Sequence, residues 1–133
     1  MDDITRENVR QRISDAISKF GDQRAEQLYR AHIDLMSLAA DLAYTKYETE
    51  TKIVEFECQE RLIFIEINDK FLGGTGKERE AKVYQDEAYV AKKKQYEEAV
   101  SFARYLGKVQ DHIAQFEESI RYKAVSPTPQ KTR

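Results

Sequence analysis

Two long segments of the chain carry an apolar stripe that repeats every three or four residues. The first stripe is formed by Leu28, His32, Leu35, Ala39, Leu42, Lys46, Thr49, Ile53, Phe56, Glu60, Ile63 and Ile67. After the cluster Gly73-Gly74-Thr75-Gly76 it resumes at Ala88, Lys92, Gln95, Ala99, Phe102, Leu106, Val109, Ile113, Phe116, Ile120 and Lys123. An average spacing of about 3.5 residues is typical of a coiled coil or a helical hairpin. The pattern therefore predicts an all-α fold, in which His32, Lys46 and Glu60 are polar residues that set the register.

The predicted elements are a short helix over about 5–20 and two long helices over about 23–71 and 78–124. Gly21 suits the end of the first helix and Asp22 the cap of the next. The long helices should pack antiparallel, which brings together residues whose numbers add up to about 150. We expect one helical domain over 1–125, followed by a disordered tail over 126–133. Because an elongated hairpin buries little apolar surface against itself, we also expect a homo-oligomer.

One segment leaves an alternative open. Residues 52–58 and 61–67 are rich in β-branched and aromatic side chains, so they could form two strands. The intervening Gln59-Glu60 lacks the chemistry of a tight hairpin turn. The heptad register also passes through the segment without a slip. These observations favour a helix that is apolar on more than one face because another subunit or helix covers it.

The composition and charge of the chain limit the classes of protein to which it can belong. The 133 residues are 35% charged and carry a formal net charge of −2. Residues 1–60 hold 8 Lys/Arg against 13 Asp/Glu, whereas residues 61–133 hold 14 against 11. This asymmetry suits either head-to-tail subunit contact or weak nucleic-acid binding. Cys58 is the only cysteine, no secretory signal is visible, and no apolar run approaches the roughly 20 residues of a membrane span, so we expect a cytoplasmic protein without membrane contact.

The sequence offers little sign of catalytic chemistry. The glycine cluster lacks the Walker pattern, because Phe71 and Glu78 stand where that pattern needs glycine and Ser or Thr. Two histidines without a cysteine partner do not make a structural zinc site. Cys58 has no histidine nearby to act as its base. We therefore expect no enzyme activity, no metal and no cofactor.

A basic set interleaved with aromatic residues is the main candidate site. The proposed nucleic-acid-binding residues are Arg61, Lys70, Lys77, Arg79, Lys82, Lys92, Lys93, Lys94 and Tyr89. Cations that follow phosphates, together with rings that stack on bases, are the means by which proteins hold single-stranded nucleic acid. Phe71, Tyr84 and Tyr96 lie in the same part of the chain. Alternatively, Lys92 to Lys94 neutralise glutamates on the facing helix, at Glu55, Glu57 and Glu60.

The order of these features is similar to a known family. A long helix and a glycine-containing loop are followed by residues 80–90, then by Tyr96, Ala103, Tyr105-Leu106 and Ile113, and the helix closes on residues 120–124. This layout, over about residues 35–125, resembles the small phage recombination mediators of the UvsY type. Arg61 and Lys70 stand where that family places basic residues before the loop, whereas the acidic first half of the chain departs from its pattern.

The resemblance implies a non-enzymatic recombination mediator inside a bacterial host cell. Members of this family bind single-stranded DNA as ring-like oligomers, help to displace single-strand-binding protein and load a RecA-like recombinase. The alternative hypothesis is a helical structural, assembly or inhibitor protein that acts only through protein–protein contacts. Its partner surface would be the apolar stretch over residues 53–67.

Overall fold

The described residues of the protein, in a computed structural model, are 4–22, 25–71 and 73–125. They form four helices, namely α1 (Arg6–Asp22), α2 (Ala25–Lys70), α3 (Gly76–Gln85) and α4 (Glu87–Val125). The prediction of an all-α fold is confirmed. Residues 52–67 lie inside α2, so the alternative of two strands is wrong. The predicted start of the second helix at 23 and the predicted tail over 126–133 lie outside the described residues.

The chain divides into two compact units. Unit 1 comprises residues 1–46 and 106–133, and unit 2 comprises residues 47–105. Each unit therefore contains part of α2 and part of α4, whereas α1 belongs to unit 1 and α3 to unit 2. None of the helices in the described ranges is long and apolar enough to span a bilayer.

In unit 1, α1 packs against both long helices. The guanidinium of Arg12 donates to the Asp41 carboxylate at 2.7 Å, and Phe20 meets Phe116 edge to face at 6.3 Å between ring centroids. Thr5 caps α1 by accepting the backbone N–H of Asn8 at 3.1 Å, which satisfies one of the free donors at the start of the helix. The buried apolar core of the unit consists of Val9, Ala16, Ala31, Leu35, Leu38, Leu42, Leu106, Val109, Ile113 and Ile120.

The long helices pair antiparallel in the predicted register. In unit 1, His32 Nδ1 shares a hydrogen bond with the Glu117 carboxylate. In unit 2, the hydroxyl of Tyr89 donates to Glu60 Oε1 at 2.9 Å. Both pairs have residue numbers that add up to about 150, as a hairpin around the glycine loop requires. The polar positions His32 and Glu60 in the first stripe thus have specific partners on α4.

The first stripe is confirmed along α2, since each of its members is buried or half-buried. At the start of α4 the stripe differs by one position from the prediction. Ala88 and Gln95 are exposed, and the inward positions are taken by Tyr89 and Tyr96. The larger aromatic residues bury more apolar surface than an alanine and a glutamine would, which decides the rotation of this part of the helix.

The single predicted helix over 78–124 is wrong, because Asp86 interrupts it. Asp86 has an extended backbone, with φ −71° and ψ 131°, and it separates α3 from α4. Its Oδ1 accepts the backbone N–H groups of Ala88 at 2.9 Å and Tyr89 at 3.2 Å. It therefore acts as the N-cap of α4, a role for which aspartate is among the preferred residues. At the other end of α3, Thr75 and Glu78 form a capping box.

We expect Asp86→Ala to lower the free energy of unfolding by about 1 kcal/mol, because alanine cannot accept the two N–H groups and favours continuation of the helix. Urea denaturation followed by circular dichroism measures this change. Asp86→Asn should behave like the wild type, since the amide oxygen can cap. Asp111→Ala, at an exposed position inside α4, is the matched control and should not destabilise. An Asp86→Ala protein as stable as the control would contradict the capping role.

Candidate nucleic-acid interface

The predicted basic and aromatic residues lie in unit 2, which also contains a small apolar cluster. Its buried members are Ile67 from α2, Val83 from α3 and Tyr89 from α4, and the half-buried Ile63, Phe64 and Phe71 pack against them. Because the capped turn at Asp86 folds α3 back towards α2, the ring of Tyr84 joins this cluster. Its centroid lies 5.7 Å from that of Tyr89 and 6.3 Å from that of Phe64.

Three of the predicted cations lie over aromatic rings. The Nζ atom of Lys82 is 4.6 Å from the centroid of Phe71, and that of Lys92 is 5.3 Å from Phe56. Lys93 Nζ lies 5.8 Å from the Tyr84 centroid and 5.9 Å from that of Tyr89. At such distances the ring quadrupole attracts the ammonium group. Lys82 thus joins α3 to Phe71, just after the end of α2, Lys92 joins α4 to α2, and Lys93 joins α4 to α3.

Tyr89 does not offer a stacking surface, although it was predicted as a binding residue. The residue is only 5% exposed, so a base could not reach its ring. Burial, followed by the hydrogen bond to Glu60 and the nearby negative charge, raises the pKa of Tyr89 to about 12. Its role in this structure is to join α4 to α2. Tyr84, which is 51% exposed, is the ring that remains accessible beside the cations.

The other predicted cations differ in how far they are engaged. Arg61 is exposed and pairs with Glu57 at 2.9 Å on the same helix. Arg79 is half-buried, and its Nε has no hydrogen-bond partner among the described residues. Lys70, Lys77 and Lys94 are exposed, and within the described ranges they make neither an ion pair nor a ring contact. These last three, here called the free lysines, are the cations most available to a ligand.

Glutamates of unit 2 offset part of the positive charge of these lysines. Lys93 lines an open notch together with Glu57, Glu60, Arg61, Tyr96 and Glu97. None of the three lysines from 92 to 94 makes an ion pair with a carboxylate of the described chain. Of these lysines, only Lys93 is shown to line the same notch as Glu57 and Glu60, and it forms no direct salt bridge with them.

Sequence reasoning did not separate the accessible ring from the buried one. Tyr84 and Tyr89 are five residues apart, so on one uninterrupted helix they would point in different directions. The break at Asp86 brings both rings to the same cluster. The signal that could have predicted this is Asp86 itself, an N-cap residue followed by Glu87 in the first turn of a helix.

Among the residues with described side chains, no group of three or more His, Cys, Asp or Glu could hold a metal ion. Comparison with models of known protein families, with curated proteins and with solved structures finds no match to this chain. The fold defines a class, an all-α helical-hairpin protein, in which unit 2 carries the free lysines and the half-exposed ring of Tyr84.

Proposed function

We propose that this protein is a non-enzymatic, single-stranded-DNA-binding recombination mediator of the UvsY-like kind. Its partners would be single-stranded DNA, a RecA-like recombinase or single-strand-binding protein, and further copies of itself. The observation that supports the proposal is the presence in unit 2 of the free lysines together with the half-exposed ring of Tyr84. The family resemblance in layout supplies the recombination context.

The chemistry of this surface suits a strand without sequence preference. Each lysine that contacts a phosphate releases a counterion, so binding weakens as salt is added. Base stacking on one aromatic ring contributes about 1–3 kcal/mol and tolerates every base. Because exposed carboxylates such as Glu66, Glu80 and Glu87 share the unit, we expect measurable binding at low salt and a steep loss at physiological salt.

We expect the triple variant Lys70→Gln, Lys77→Gln, Lys94→Gln to bind labelled single-stranded oligonucleotide at least about tenfold more weakly. If all three lysines contact phosphates, the slope of log K against log salt should become shallower by about 2, from a value of about 0.7 for each phosphate contact. Fluorescence anisotropy at several salt concentrations measures both quantities. The variant removes no ring contact, unlike substitutions at Lys92 and Lys93, which would also disturb the packing of unit 2.

The matched control is Arg10→Gln, Lys108→Gln, Arg121→Gln, which removes the same charge from exposed positions of unit 1. It should retain most of the binding. Equal loss in both triple variants would mean that binding follows net charge alone. Tyr84→Ala should weaken binding without changing the salt slope, since stacking releases no counterions.

A second function is favoured by a different observation. The side chains of Val54, Leu62 and Ile65 are each more than half exposed on α2, within the apolar stretch that was predicted as a partner surface. This supports a helical module that acts through protein–protein contacts alone. Failure of the wild-type protein to bind any oligonucleotide at low salt would favour this function over the first.

A further inference from the structure

The outward side of α2 is apolar in unit 2. Six exposed residues recur there every three or four positions without a charge among them; they are Tyr47, Thr51, Val54, Cys58, Leu62 and Ile65. The four largest are 54–70% exposed. They lie on the side of the helix opposite to the buried Thr49 and Ile67, as a helical period of 3.6 residues requires. We call these six residues the outer face.

The outer face is suited to burial against another helix. It extends over about 27 Å, or five helical turns, at 1.5 Å per residue. The hydroxyl of Thr51 donates to the backbone carbonyl of Tyr47 at 3.0 Å, so it needs no polar partner outside the helix. Apolar residues at this spacing are the anchors by which paired helices bind. Soluble proteins rarely expose contiguous apolar surface of this kind, so the outer face is expected to have a partner.

One edge of the outer face is acidic. Glu48, Glu55 and Glu66 lie along this edge, about 70–90° round the helix from the centre of the face at about 100° per residue. All three are exposed, and among the described residues none of them makes an ion pair. Lys52 is the nearest cation of α2 on this side, but it lies about 130° from the centre of the face and so points away from it. We call these three glutamates the acidic edge.

The opposite edge of the outer face has mixed charge. Glu50 is exposed there, and Arg61 pairs with Glu57 at 2.9 Å. Lys93 of α4 lines the notch beside that ion pair. Since positive and negative groups alternate along this edge, it discriminates little between partners. The acidic edge therefore decides which charge a partner of the outer face should carry.

We propose that the outer face binds an amphipathic helix of another protein, in which Lys or Arg residues flank the apolar positions. Burial of the apolar positions supplies the affinity. Cations opposite the acidic edge select this partner over helices with acidic flanks. The inference rests on the second function proposed above, for which it names the chemistry of the partner, and it requires no nucleic acid.

Two other occupants fit the outer face less well. In an antiparallel pair of identical helices the same edge of each helix meets, so the acidic edge would face itself in every register. In a parallel pair Glu50 would repel Glu55 of the second copy, and Arg61 could reach Glu66 only by leaving Glu57. A lipid surface is disfavoured because helices that lie on membranes carry Lys and Arg, rather than an acidic edge, beside the apolar face.

Three synthetic helical peptides of three heptads each test the chemistry of the partner. The lysine peptide has Leu at positions a and d and Lys at e and g, the glutamate peptide has Glu in place of every Lys, and the serine peptide has Ser in place of every Leu. Like charges at e and g keep the first two peptides from pairing with themselves. Isothermal titration calorimetry with the full chain measures the affinities.

The wild-type protein should bind the lysine peptide at least about tenfold more tightly than the glutamate peptide at low salt, because several flanking pairs change from attraction to repulsion. The ratio should become smaller as salt is added, since exposed charges are screened. The serine peptide should show no measurable binding, because charge alone does not supply the affinity.

Cys58 reports whether the peptide lies on the outer face. It is the only cysteine of the chain, it is exposed, and it lies in the middle of the face. Saturation with the lysine peptide should slow the alkylation of its thiol by iodoacetamide. Saturation with the serine peptide should leave the rate of alkylation unchanged.

Two variants separate the acidic edge from the apolar positions. The triple variant Glu48→Gln, Glu55→Gln, Glu66→Gln should bind the lysine and glutamate peptides with dissociation constants within about threefold of each other. Leu62→Glu should weaken binding of the lysine peptide at least about tenfold, because a charge would be buried at the contact. Both variants should keep the helical circular dichroism of the wild type, since all four positions are exposed.

Matched controls make the same changes at exposed positions elsewhere in the chain. Glu80→Gln, Asp111→Asn, Glu118→Gln removes the same charge from α3 and α4 and should keep the preference for the lysine peptide. Ala91→Glu on α4 should bind that peptide as tightly as the wild type.

Equal affinities of the wild type for the lysine and glutamate peptides would overturn the inference and leave the second function in place, because an apolar contact without charge selection would remain. Failure to bind the lysine peptide, or binding that neither Leu62→Glu weakens nor Cys58 reports, would also overturn it. A wild-type dimer that Leu62→Glu dissociates in light scattering would assign the outer face to a second copy instead. Binding to phosphatidylcholine vesicles that Leu62→Glu abolishes would assign it to a membrane. Since no assay contains nucleic acid, the first proposed function is tested separately.

Discussion

Replacing Leu42 with alanine is expected to lower the free energy of unfolding by about 3 kcal/mol, the central value for a large-to-small change in a packed core. Leu42 is fully buried in unit 1, as are Leu38 and Leu106. The loss combines the transfer free energy of the deleted methyl groups with the cavity that they leave behind. Urea denaturation at a concentration where the chain is monomeric measures the effect.

Leu62→Ala is the matched control, because it makes the same chemical change on an exposed face of the same helix. Leu62 is 58% exposed, so the change should cost less than about 1 kcal/mol in the monomer. If the two variants lost equal stability, the buried side of α2 would not be the face that packs against α4.

Alkaline pH is expected to destabilise the protein through Tyr89. The folded state holds the pKa of Tyr89 at about 12, against 10.0 for an ordinary tyrosine. A raised pKa means that folding favours the neutral phenol, so this contribution to stability is fully present below pH 10. It is lost as the pH rises from about 10 to about 12, and each pKa unit corresponds to about 1.4 kcal/mol, so the loss is at most about 3 kcal/mol.

Tyr89→Phe isolates the contribution of Tyr89 to this loss of stability. The variant should be less stable near neutral pH by about 1 kcal/mol, because Glu60 loses a hydrogen-bond donor. Between pH 10 and 12 its stability should fall less steeply than that of the wild type. The ultraviolet absorbance of tyrosinate gives a second readout, since the wild type should show a rise near pH 12 that Tyr89→Phe lacks. Parallel stability curves for the two proteins would refute the role of Tyr89.

The long helices and their pairing could be predicted from the sequence because they follow from periodicity. A stripe every three or four residues commits one face of a helix to burial, even where that face includes Thr49 and Glu60. A single glycine-rich loop between two such helices then leaves antiparallel pairing as the compact solution. The contact of Glu60 with Tyr89 lies in the predicted register for this reason.

The candidate site could be predicted only in part. The basic residues, Tyr84 and Tyr89 stand out in the sequence because of their composition, and all of them lie in unit 2. Which cations are free was not predictable, since the contact of Lys92 with Phe56 joins residues that are distant in sequence. The burial of Tyr89 likewise depends on the rotation of α4 about its axis. The predicted stripe placed Ala88 on the buried face, one residue before Tyr89.

By itself the sequence determined the helical class and the antiparallel register of the long helices, because local periodicity and glycine chemistry act through near neighbours. Only the tertiary structure decided that Tyr89 packs inside while Tyr84 stays accessible, and that α2 keeps a second apolar face exposed among the described residues. These features depend on competition between residues far apart in the chain for the same buried space. The sequence pattern shows which residues are apolar enough to be buried, and the packing of the helices decides which of them are.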